Sequence, residues 1–172
     1  MTEQAHTEQA GLVLQAGSDL DAHEALRETD LPGCHHLHLL QMATEKLAKA
    51  ISLNSSPTGF GRTHVAFSKV TGALRVHSPL AGRLGWSVAK YQHFRERAHR
   101  LMRAIEELHP QVPTDGVPDG PNVEYPWERP DGSWMAPASF RFPAEDWLRS
   151  ADGIALLKLV RVVANDFNRL FG

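Results

Sequence analysis

Cys34, His35, His36 and His38 place one thiol and three imidazoles within five residues, donor types that suit zinc and related metals. On a helix, His35 and His38 share a face, where a distant His64, His93 or His99 could complete a site. No second ligand pair stands at a recognisable spacing, so the expectation is a polar helix start with partly buried imidazoles, no metal and no cofactor. Cys34 beside His35 is also a weak case for a nucleophile and its base, because adjacency in sequence does not set productive geometry.

A second set of residues is cationic. Lys90, His93, Arg97 and Arg100 recur at three- and four-residue steps, one stripe of a helix, and Arg103 extends it. Such a stripe can follow the phosphates of RNA or of a nucleotide, each contact adding salt-dependent affinity. It can equally be a solvated face, or a clamp for the acidic N-terminal segment. Neither a Gly-rich phosphate loop nor a base-reading module accompanies it.

The element that must carry the first set is a helix over 34–54. Leu37, Leu40, Thr44, Leu47 and Ile51 alternate at steps of three and four, and Ala43 and Ala50 widen the stripe with small groups. Glu45 precedes Lys49 by four residues, the favourable order for an ion pair. The cationic set needs a long helix ending near Leu108, with Gly82 and Gly85 weakening its first turns and regular structure from about Trp86. Its apolar face is Leu84, Val88, Tyr91, Ala98, Leu101, Ile105 and Leu108. Two further helices are expected, over 63–76 and 154–171. The last is apolar over so much of its surface that it must lie centrally or meet a second subunit, which makes a homodimer the expected state. Between 111 and 142, Pro, Gly and Asp signal a loop insert. Pro130-Asp131-Gly132 between aromatic-rich runs reads as a hairpin, its aromatics mainly for packing. Residues 1–17 are weakly patterned and read as a flexible tail, followed by a short helix to Glu28.

Leu40 to Ala50, LQMATEKLAKA, resembles the first long helix of HEPN-domain proteins, with THVAFSKV at 63–70 in the place of their second. The resemblance spans roughly residues 33–110. It implies a mostly α fold, an antiparallel four-helix bundle forming a single domain over 18–172. Enzymatic members carry an Arg, four to six residues, then a His, a spacing met by Arg103 and His109. There the His would shuttle protons and the Arg would stabilise the phosphorane, with the RNA 2′-hydroxyl as nucleophile and no metal required. Ala104 departs from the polar residue usual in active members, and Pro110 follows the His directly. The resemblance therefore implies a non-catalytic or weakly catalytic protein that binds RNA or a nucleotide, in a bacterial defence or toxin–antitoxin setting with an antitoxin or defence-system partner. A metal-independent endoribonuclease is the alternative, and a dimeric interaction scaffold without nucleic acid is a third.

Composition bounds these readings. With 172 residues, 42% hydrophobic and 22% charged, the chain has the make-up of one soluble globular domain able to bury a core unaided. A single cysteine excludes an internal disulfide and suits a reducing cytoplasm, while 1–20 lacks the features of a signal peptide. No run of apolar residues approaches a membrane span. Charge is asymmetric: residues 46–103 hold eleven Lys and Arg against one acid, Glu96, about +10 there and about −12 elsewhere. An anionic partner, or acids folding back from either side, would satisfy that asymmetry.

Overall fold

The computed structural model describes residues 7–55, 78–109 and 120–171. They fold into a mostly helical structure: α1 (Glu8–Arg27), α2 (Gly33–Ser55), α3 (Ser78–Leu84), α4 (Val88–Glu106), α5 (Pro143–Leu148), α6 (Ala151–Asn165) and α7 (Phe167–Phe171). A two-stranded antiparallel ribbon, β1 (Trp127–Glu128) and β2 (Trp134–Met135), lies between α4 and α5. The helix expected over 63–76 falls outside the described residues.

The expected α2 stripe is the core of the molecule. Leu37, Leu40, Ala43, Thr44, Leu47, Ala50 and Ile51 are all buried. Glu45 pairs with Lys49 as its spacing requires, and its carboxylate also accepts from Gln41 Nε2 at 3.2 Å.

α1 corrects the expected tail. Thr7 caps a helix that begins at Glu8, its hydroxyl accepting from the Ala10 amide at 3.2 Å. Ala16, Asp19, Leu20 and His23 form its buried face, a small and partly polar set that gives little hydrophobic periodicity. That face is stabilised by packing along α2, its principal neighbour. Gln9 adds a tie by donating to the Ala50 carbonyl at 2.9 Å.

The long helix expected up to Leu108 divides into α3 and α4. Gly85 adopts φ +69°, and the Trp86 amide returns to Ala81 O at 2.9 Å, closing α3 in a left-handed turn. Ser87 then caps α4 through the Lys90 amide, 3.2 Å. Tyr91, Phe94, Ala98, Met102 and Ile105 are buried, whereas Val88 is 53% exposed.

The last expected helix also divides, at Asp166, and α5 precedes it unannounced by any apolar period. Ser150 caps α6 by accepting from the Gly153 amide at 3.1 Å. A Cβ on Gly153 would stand 2.3 Å from the Trp147 carbonyl, so only glycine allows α5 and α6 to meet this closely. The buried face of α6 is Leu156, Leu159, Val160 and Val163, whereas Ile154, at the start of the expected helix, is 58% exposed. α6 reaches α1, α3, α4 and α5, so its apolar surface is covered largely within the chain.

The hairpin occurs where the Asp-Gly signal places it. Trp127 faces Met135 and Glu128 faces Trp134 across the ribbon, with Gly132 at φ +80° in the turn. Trp127 is buried and meets Phe140 edge-on at 5.2 Å, and Phe142 in turn meets Phe140 edge-on at 4.9 Å, so this cluster packs as expected. Trp134, by contrast, is 60% exposed. Among the described residues, no helix is long and apolar enough to cross a membrane.

Candidate functional site

Three separate elements converge beside the start of α2. The first turns of α2 supply His38, and the residues following α4 supply His109. Asn122 is buried, and its side-chain oxygen accepts from the amides of Glu124 and Tyr125 at 2.7 and 3.0 Å, an Asx turn that presents Glu124. The Val123 amide donates to Leu108 O at 3.0 Å, pinning this turn against the end of α4.

The resulting cluster is compact. His109 Nδ1 lies 3.3 Å from Glu124 Oε2, and the His38 and His109 rings are 6.5 Å apart. One donor atom from each of His38, His109 and Glu124 falls within 4.8 Å of the others. His38 Nδ1 is buried without a hydrogen-bonding partner. The Tyr125 phenol donates to Glu124, which raises its pKa, and its ring stands edge-on to His109 at 6.3 Å. His38 and Glu124 also line a cavity of about 500 Å³ whose other walls include Leu26, Leu39, Val123 and Pro126. Two imidazoles and a carboxylate at the mouth of an apolar cavity can exchange protons or hold a cation.

The Cys34-to-His38 group does not act as a unit. Cys34 is buried, and desolvation pushes its thiol pKa up, away from nucleophilic character. His35 is exposed. His36 turns instead toward α1, where its ring meets His23 at 5.2 Å, and burial followed by the nearby His23 and Arg27 charges holds its pKa down to about 4. His23 Nδ1 donates to the His36 carbonyl at 2.7 Å. Of the four, only His38 enters the cluster; His64 lies outside the described residues, while His93 and His99 are exposed on α4.

Lys90, His93, Arg97 and Arg100 do share the solvent face of α4. Lys90 sits over the Trp86 ring at 5.2 Å. Arg97 grips Asp152 of α6 through two parallel bonds of 2.9 and 3.0 Å and donates to His93 O at 3.2 Å. Those bonds hold the Asp152 carboxyl below its usual range. Acids from outside the basic interval thus do fold back, but from more than the N-terminal segment. Asp19 meets Lys46 at 2.7 Å, Asp166 meets Arg83 at 3.0 Å and Asp152 meets Arg97.

Arg103 and His109 have different surroundings. Arg103 is exposed and pairs with Glu107 at 3.5 Å, whereas His109 is half-buried among His38, Glu124 and Tyr125. Glu124 is the participant that sequence reasoning missed. Its signal was Asn122 two residues earlier, a residue type that favours a side-chain-capped turn. Compared with known proteins, the chain matches no family model, no curated protein and no solved structure.

Proposed function

We propose that this chain is a HEPN-like helical protein that binds RNA or a nucleotide along the solvent face of α4, with no efficient cleavage. The observation that carries this reading is the division of α4: Tyr91, Phe94, Ala98, Met102 and Ile105 point into the core, while Lys90, His93, Arg97 and Arg100 line the opposite face. A rigid, one-sided row of cations suits a phosphate backbone, and its held geometry lowers the ordering cost of binding. Asp152 occupies Arg97 with the bidentate geometry that a phosphate would also use, and so acts as an internal competitor. The HEPN-like bundle and a bacterial defence or toxin–antitoxin partner belong to the same proposal and rest on the sequence resemblance; the homodimeric state belongs to it on the apolar breadth of the last helix, most of which α1, α3, α4 and α5 cover.

The test is a titration of fluorescent single-stranded RNA across a salt series. Lys90→Gln with Arg97→Gln and Arg100→Gln should weaken binding at least about tenfold at low salt and flatten its salt dependence. Equal affinity and slope in wild type and the triple variant would remove α4 as the binding face. The endoribonuclease alternative calls for Arg103 and His109 to act together, and their different neighbours give it no added support. Cleavage that persists in EDTA and disappears in both Arg103→Ala and His109→Ala would establish it instead.

A further inference from the structure

We infer that His38, His109 and Glu124 form a binding site for one divalent transition-metal ion of the zinc class, with its open coordination position directed to the adjacent cavity. This site is independent of the α4 face and gives His109 a role other than that of a general acid–base in RNA cleavage.

The donor set is two imidazoles and one carboxylate, a combination that suits zinc and its first-row neighbours and discriminates against calcium and magnesium. Tetrahedral bonds of about 2.0–2.1 Å to nitrogen and oxygen require neighbouring ligand atoms to stand about 3.3–3.4 Å apart. His109 Nδ1 and Glu124 Oε2 are already 3.3 Å apart. The third ligand atom, from His38, lies within 4.8 Å of both, so a small rotation about its side-chain bonds closes the set.

A second observation is independent of spacing. His38 Nδ1 is buried without a hydrogen-bonding partner, a state that costs free energy and that a metal bound through this nitrogen would relieve. The supporting shell is also present. The Asx turn of Asn122 positions Glu124, and the Tyr125 phenol donates to its carboxylate. Three protein ligands leave a fourth position, and the apolar cavity of about 500 Å³ beside His38 and Glu124 is where it would open. That position takes water or the single donor atom of a small, mostly apolar molecule. Cys34 lines the same cavity but stands outside the ligand group, so the coordination is free of sulfur.

The experiment titrates chelator-stripped full-length protein with Zn²⁺ against a competing chelator, and with Co²⁺ followed by absorption. Expected is one Zn²⁺ per chain and a tetrahedral visible Co²⁺ spectrum without a thiolate charge-transfer band. His38→Ala and His109→Ala should each lower Zn²⁺ affinity at least about 100-fold, and Glu124→Gln about tenfold. His99→Gln, on the exposed face of α4, should bind as wild type does. Zn²⁺ should also raise the melting temperature of wild type but not of His38→Ala. Failure of wild type to bind, a thiolate band, or undiminished binding by a His38→Ala/His109→Ala double variant would overturn the site. The cobalt spectrum requires no substitution, so a variant that folds poorly leaves the test intact.

Discussion

Two ion pairs, each joining a base of the middle region to an acid outside it, behave as opposites. Lys46 and Asp19 bridge α1 and α2 at 2.7 Å, with only 19% and 9% of their side chains accessible; Gln15 donates a further bond to Asp19 at 2.8 Å. Arg97 and Asp152 bridge α4 and α6 at 2.9 Å with 46% and 37% accessible. The geometry is at least as good in the second pair, since it is bidentate. Burial separates them. Between α1 and α2 little water reaches either charge, so the pair helps to fix the register of two helices. On α4 both charges remain hydrated, so the pair is exchangeable, and an incoming anion can replace the carboxylate. One charge network holds the fold, and the other leaves a surface available.

The largest effect that would break this contrast is the loss of Asp19. Asp19→Ala strands the Lys46 ammonium between α1 and α2, and should lower unfolding free energy by about 2–4 kcal/mol in a denaturant titration. A loss no greater than that of an ordinary surface substitution would mean that Lys46 escapes to solvent and that the two pairs are alike.

Next in size is an acid effect confined to the same α1–α2 interface. Burial is the main cause lowering the pKa of His23 from 6.5; its Nε2 is buried without a partner while Nδ1 donates to the His36 carbonyl. Facing it are His36 from α2, Arg27 and Glu24 from α1, and Arg161 from α6. Below pH 6.5 the unfolded chain takes up a proton at this residue that the folded chain resists. The stability it contributes is therefore complete above 6.5 and lost progressively as the pH falls through the depressed folded value. Unfolding midpoints followed downward from neutral pH should decline more steeply in wild type than in His23→Gln. Parallel curves would place the acid sensitivity elsewhere.

The smallest effect is expected where the pair is exposed. Asp152→Asn should leave the unfolding midpoint near that of wild type, while RNA affinity rises a few-fold because Arg97 no longer has an internal carboxylate to leave. Unchanged or weaker binding would show that Asp152 positions Arg97 rather than competing for it.

What the sequence determined by itself is local. The stripe from Leu37 to Ile51, the Glu45–Lys49 pair, the Asp-Gly hairpin and the two-sided character of α4 each follow from spacings within one element, and each is present. Element limits were less legible. α1 was hidden because a face of Ala16, Asp19, Leu20 and His23 carries little apolar contrast and is defined by the helix it packs on. Ile154 lies outside and Leu156 inside because an almost wholly apolar helix does not specify its own inner face; the positions of α1, α3, α4 and α5 do. The cluster of His38, His109 and Glu124 belonged to tertiary structure alone. These residues are far apart in the chain and share no repeat or spacing; the Val123–Leu108 backbone bond and the Asn122 turn bring them together. A spacing pattern reports which side of one element a residue occupies, whereas a site made of single residues from three elements exists only once those elements have packed.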